Sequence, residues 1–265
     1  MQLIRLTHVL TFFAACQGVT CSSATAQDMS YEEYLNELNR LSEYRMPKAG
    51  VAGISSGFGA ANNSIFAAIS YTNRDTQTGG IDNDGSIAFG VGLGDPAKGF
   101  AAELTVGITS VSTKYWGDGK FGDEGNISLK VHRQLAAPNF ADAASFSAGI
   151  SNLTGWGSTT ELPQNVHVSY SLLNYFGSYD ERAIMATLGY GTAVADVETT
   201  GSMFYGIGYG SSDYSVSISS PGEELWLGAN WYPRSIKGMS LGVALADFND
   251  ENDRQRTILT IGKSW

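Results

Sequence analysis

The chain has 265 residues and a formal net charge of -10, and only 16% of it is charged while 32 positions are glycine and 6 are proline. Soluble domains average about 25% charged residues and about 7% glycine, yet a mean hydropathy of -0.10 also excludes a bundle of apolar membrane helices. An acidic chain with no basic cluster to offset it excludes nucleic-acid binding.

The N-terminus reads as an export signal. Arg5 supplies a positive charge, and an apolar stretch runs from Val9 to Cys16. That stretch is too short to cross a bilayer, which takes about 20 residues. Ala24, Thr25 and Ala26 then form an A-x-A cleavage site, which predicts a signal peptide over 1–26. An alternative is lipidation at Cys16, because Phe13, Ala14, Ala15 and Cys16 form a loose lipobox. Both cysteines, Cys16 and Cys21, precede the predicted cut, so the processed chain has none. That fits an exported protein without a disulfide framework.

Residues 27–62 are expected to form a periplasmic helix and linker. Tyr31, Tyr34, Leu35, Leu38, Leu41 and Tyr44 recur at spacings of three and four, and Ser30 with Glu33 forms a capping-box pattern. Pro47 and Gly50 lie just past the helix end. Such a helix either packs on the folded body or plugs a barrel mouth.

From Asn63 to Trp265 the period becomes two. Leu104, Val106 and Ile108 alternate with Glu103, Thr105 and Gly107; Val166, Val168 and Tyr170 alternate with His167 and Ser169. The same holds for Ile127, Leu129 and Val131, for Met203 to Tyr209, and for Leu225 to Trp231. The second face is mostly Gly, Ser, Thr and Ala. A soluble sandwich would carry charges on its outer face. A membrane barrel turns apolar residues to lipid and small or polar ones inward, and it must close, because hydrocarbon satisfies no backbone donor. The expected fold is therefore all-β: a closed antiparallel up-and-down transmembrane barrel of about 12 strands (range 10–14) over 63–265, with a short N-terminal helix. Its strands centre near Ile69, Val91, Val106, Leu129, Ala148, Tyr170, Leu188, Ile207, Val216, Leu227, Val243 and Ile261.

Turn lengths supply an independent check. With both termini in the periplasm, the odd-numbered connections face outside and should be long. Thr72–Gly85, Thr113–Glu124, Thr154–Gln164, Ala193–Gly201 and Asp247–Gln255 fit; Ser220–Glu223 does not. Asp95–Gly99 and Gly210–Asp213 are short, as even-numbered turns should be. Tyr71, Tyr115, Trp116, Trp156, Tyr175, Trp231, Tyr232 and Trp265 fall towards strand ends, where the membrane–water interface favours Trp and Tyr.

The chain stops on a strand from Arg256 to Trp265, with Leu259, Ile261 and the terminal aromatic Trp265 at alternate positions. This ending resembles the insertion signal of bacterial outer-membrane proteins; Lys263 departs from it, since an apolar residue is usual there. The resemblance covers Asn63 to Trp265 at the level of the porin-like barrel class. It implies residence in the bacterial outer membrane, with the lipid bilayer, lipopolysaccharide and the barrel-assembly machinery as partners, and no cofactor.

His167-x-Ser169 resembles the pair used by outer-membrane phospholipases and lipid A deacylases, with histidine as base for a serine nucleophile. Here Val166, Val168 and Tyr170 take the lipid face, which predicts that His167 and Ser169 point into the lumen. By the same parity Glu103, Lys130 and His132 line the lumen, with Glu103 near His132, and Arg133 faces lipid near the periplasmic rim. Opposed charges across a pore make a selectivity constriction; the plainer reading is a structural ion pair. The acidic run Asp82-Asn83-Asp84-Gly85 lacks the full spacing of a calcium loop; Asp247–Asp253 could hold a divalent cation at the surface, but solvated acidic loops are far more common, so no metal site is assigned. Gly90-x-Gly92 and Gly206-x-Gly208 sit within strands, not before helices, so a dinucleotide site is excluded. The expected function is a narrow channel for small solutes or ions. A non-conducting surface barrel and a lipid hydrolase using His167 and Ser169 are the alternatives.

Overall fold

Alternating small and large side chains place twelve antiparallel strands side by side in chain order. The computed structural model describes residues 46–73, 84–109, 111, 121–177, 180–194, 201–249 and 255–265; the predicted signal peptide and the Ser30–Tyr44 helix lie outside them. The strands are β1 (Ile65–Thr72), β2 (Asp84–Leu93), β3 (Ala101–Ile108), β4 (Gly125–Leu135), β5 (Ala143–Trp156) and β6 (Asn165–Phe176). They continue with β7 (Arg182–Gly191), β8 (Ser202–Ser211), β9 (Tyr214–Pro221), β10 (Trp226–Trp231), β11 (Met239–Ala246) and β12 (Arg256–Ser264). Each strand pairs with the next, and β1 pairs with β12 to close the barrel. All twelve predicted centres fall inside strands.

Parity decides what faces where. On β6, Val166, Val168 and Tyr170 are 48%, 41% and 37% exposed, while His167, Ser169 and Ser171 are 7%, 2% and 0%. β7 repeats this, with Ile184, Leu188 and Tyr190 exposed and Met185, Thr187 and Ala183 buried. The barrel is thus apolar outside and small or polar inside, the reverse of a water-soluble sheet protein.

One irregularity shapes the wall. The β4–β5 register shifts between Ile127 and Leu129, where Asn152 takes a left-handed φ of 54°. Asn tolerates this region better than most residues. This β-bulge lets the Asn152 side chain donate to the carbonyls of Thr159 (3.1 Å) and Leu162 (2.8 Å), which folds the β5–β6 connection back onto the strand end.

Ile65 and Trp265 exchange backbone bonds, so β1 starts and β12 ends at one rim, here called the terminal rim. Connections at that rim are short: 94–100, 136–142, 177–181, 212–213 and 232–238. Those at the far rim are longer, except for 222–225. Trp231 and Trp265 project outward at the terminal rim, and Tyr71 does so towards the far rim; Tyr115 and Trp116 lie outside the described residues. Arg133 faces outward with its guanidinium 5.4 Å from the Phe100 ring centroid. Lys263 does likewise over Trp265 at 5.8 Å and donates to the Lys237 carbonyl. An amphipathic stem that carries its charge to the rim explains how a lysine is accommodated in the final strand.

Candidate functional site

Residues 46–62 belong to the same compact unit as the strands, and they run along the inner wall of the barrel. Where the sequence suggested a linker outside it, the backbone is bonded to inward-facing side chains. A segment without a ladder partner must satisfy its N–H and C=O groups elsewhere, and inward serines, with Lys130 and Glu103, do much of this. Lys48 N–H donates to the Ser211 carbonyl at the terminal rim (3.0 Å). Ala52 N–H donates to Ser217 Oγ (3.1 Å), and Ser219 Oγ donates back to the Ala52 carbonyl (2.6 Å). Across the barrel, Ser147 Oγ donates to the Ser56 carbonyl (3.0 Å) and Ser145 Oγ to the Gly57 carbonyl (2.7 Å), while Gly57 N–H donates to Ser171 Oγ (2.9 Å). Lys130 Nζ donates to the Phe58 carbonyl (3.0 Å) and Ala60 N–H to Glu103 Oε2 (2.7 Å). The chain then returns to the rim, where Asn63 N–H meets the Gly92 carbonyl.

The seat depends on close approach. A Cβ on Gly57 would stand 2.2 Å from the Ser145 carbonyl oxygen and 2.8 Å from the Ser171 nitrogen, both backbone atoms that cannot swing aside. A Cβ on Gly208 would stand 2.1 Å from the Gly50 carbonyl oxygen. Gly208 and Gly210 in β8 therefore mark where inserted backbone lies against strand backbone, and Gly206 makes room for the Val51 side chain.

Two ion pairs stand on the lumen side among the described residues. Glu103 stands opposite Lys130 in the β3–β4 register, 3.7 Å apart and mostly covered by the inserted segment. His132 lies opposite Ala101, with its ring under Gly59. It is 2% exposed, and neither ring nitrogen has a hydrogen-bond partner among the described residues. The second pair is Glu224 with Arg256, both side chains 4% exposed. Two bonds of 3.1 Å join them; Trp226 Nε1 donates to Glu224 Oε2 (2.8 Å), and Arg256 lies 5.2 Å from the Trp226 ring centroid. This bidentate geometry is the strongest form of carboxylate–guanidinium contact. Sequence reading missed this pair, although counting inward from Leu259 and Ile261 places Arg256 on the lumen side.

His167 and Ser169 are buried on the inner side of β6 and do not engage each other. Ser169 Oγ pairs with Ser147 Oγ at 2.8 Å, and the nearest polar contact of His167 Nδ1 is the Asn165 carbonyl at 3.4 Å. Leu259, Ile261 and Trp265 all face outward and are exposed. Among the described residues no three His, Cys, Asp or Glu side chains stand together as a metal site; the acidic runs noted in sequence fall partly outside those residues.

No family model matches the chain, and no curated protein matches it in sequence. Solved structures do match in backbone. An outer membrane channel from Pseudomonas putida F1 is 10% identical with a TM-score of 0.46, over 78% of this chain and 97% of that one. The KdgM porin is 12% identical with a TM-score of 0.47, over 76% and 99%. Outer membrane phospholipase A from Escherichia coli is 12% identical with a TM-score of 0.46, over 76% and 89%. At such identities and TM-scores these likenesses assign nothing to this chain. The closed strand order and the apolar exterior decide the class. The fold is that of an outer-membrane β-barrel.

Proposed function

We propose that the protein is a narrow porin-like channel of the bacterial outer membrane for small solutes or ions. Its path runs between the inserted segment and the wall made by β11, β12, β1 and β2. The supporting observation is an asymmetry of cover. Inward side chains of β5 to β7, such as Ser145, Ser147, Ser171 and Thr187, are buried, with residues 56–58 lying against them. Those of the opposite wall, such as Ser70, Ser240 and Thr260, keep partial exposure although they face the lumen. Twelve strands enclose less than a sixteen-stranded porin does, and an inserted segment narrows that further. In this reading the terminal rim lies in the periplasm, the longer connections face outside towards lipopolysaccharide, and the outward Leu259, Ile261 and Trp265 serve barrel insertion.

Planar-bilayer recording tests it. The wild-type chain is expected to show small unitary steps, and Gly57→Val larger ones, because an added side chain there cannot be seated. Silence from both proteins would remove the channel reading and leave a structural barrel. Equal steps from both would mean that residues 46–62 are not the constriction.

A further inference from the structure

We infer that outward cations at the terminal rim form a ring of clamps for the phosphate groups of anionic phospholipid; that this rim meets the periplasmic leaflet rests on the orientation proposed above. By register and parity, the charged side chains on the outward faces of the described strands are Arg133, Arg182 and Lys263. All three are cations, and each stands within two residues of its strand's end at the terminal rim. That depth keeps them out of the hydrocarbon, where a charge is costly. Their shared sign calls for a counter-charge, and for side chains that face the membrane the lipid headgroups supply it.

Each cation also stands beside aromatic rings. The Arg133 guanidinium lies 5.4 Å from the Phe100 ring centroid and Lys263 Nζ 5.8 Å from that of Trp265, and both rings are exposed. Arg182 opens β7 opposite Phe176, which leads a run of outward rings through Tyr209 (6.1 Å) to Tyr214 (6.4 Å from Tyr209). Rings attract a cation to their faces and settle at headgroup level. Arg133 and Arg182 are exposed, and a guanidinium presents a fork of donors that matches a phosphate. Lys263 gives one of its three donors to the Lys237 carbonyl and keeps the others for a headgroup. Connections at the same rim behave differently: Lys98 pairs with Asp95 at 3.1 Å and Arg234 with Asp213 at 2.6 Å. Cations turned to water are thus paired within the protein, while those turned to lipid are set against rings. The partner that fits is a phosphate whose charge no ammonium offsets, as in phosphatidylglycerol rather than phosphatidylcholine.

Native mass spectrometry of the folded barrel, released from micelles holding equal phosphatidylglycerol and phosphatidylcholine, tests this. Wild type should retain phosphatidylglycerol in preference by about fivefold, which converts to the roughly 1 kcal/mol that one basic side chain gains near an anionic surface. Arg133→Gln, Arg182→Gln and Lys263→Gln together should abolish the preference. Lys98→Gln, Arg234→Gln and Lys237→Gln, which remove as many cations from the connections of the same rim, should leave it unchanged. If the first triple variant does not fold, Lys263→Gln alone should lower the number of phosphatidylglycerol molecules retained by one. Equal retention of both lipids by wild type, or an equal loss in the two triple variants, would overturn the inference. With lipid A added in equal amount, preferential retention of lipid A would overturn it too, because it would put these cations in the other leaflet. None of these readouts depends on conductance, so a barrel silent in planar bilayers would remove the channel reading and leave this inference standing.

Discussion

The inserted segment is held mainly by hydroxyls, which makes its release calculable. Consider Ser145→Ala with Ser171→Ala. The pair of changes removes the donor to the Gly57 carbonyl (2.7 Å) and the acceptor for Gly57 N–H (2.9 Å), together with the Ser56–Ser171 contact at 3.2 Å. A net intramolecular hydrogen bond contributes about 0.5–1.5 kcal/mol, so the seated state should lose about 2 kcal/mol. Water can hydrate Gly57 once the segment has left, and no such solvation is available while it is seated. At about 1.4 kcal/mol per factor of ten, the unseated population should rise roughly 30-fold. Single-channel recording reads this as more time in the larger conductance state. Ser70→Ala is the control, because Ser70 bonds Thr260 on the opposite wall. An open-time fraction unchanged in the double variant, or raised equally by the control, would refute the view that these serines seat the segment.

Two further outcomes follow from the lumen contacts. Glu224→Ala strips the buried Arg256 of its bidentate carboxylate contact, so it should cost about 3 kcal/mol, whereas Glu224→Leu with Arg256→Met should recover most of it; urea unfolding of detergent-folded barrels checks both, and an equal loss in the two proteins would contradict the assignment. Ser169→Ala removes one bond, to Ser147, so it should cost about 1 kcal/mol of stability and leave hydrolysis of phospholipid vesicles at the wild-type level; reduced hydrolysis would restore the lipid-hydrolase reading.

The barrel was legible because its rule is periodic and local. A side chain's face follows from parity alone, so Val168 against Ser169, or Arg133 against Lys130, could be assigned one strand at a time. The lumen pairing of Glu103 with Lys130 needed the register between strands. Parity gave their face, but not that they stand opposite each other while His132 lies opposite Ala101. Glu224 was not legible as a lumen group, because it lies in the short 222–225 connection, where alternation assigns no face. The path of residues 46–62 was least legible. Its Gly, Ala and Ser run has neither period, and what fixes it is complementarity to hydroxyls more than eighty residues away in sequence, such as Ser145 and Ser171.

Taken together, these contacts explain why the inner face is rich in serine rather than simply polar. A lumen lined with Lys, Glu or Gln would be equally compatible with water, but their longer side chains would fill the space that the inserted backbone occupies. Serine is short enough for residues 56 and 57 to lie against β5 and β6, and its hydroxyl can serve a carbonyl, as Ser145 does, or an N–H, as Ser171 does. On the uncovered wall the same residue type faces the lumen without a segment to bond. One small amphoteric side chain therefore serves as receptor for the segment on one side and as lining on the other. The segment thus meets the wall chiefly through side-chain hydroxyls, and its bonds stay separate from the strand ladder that closes the barrel in lipid.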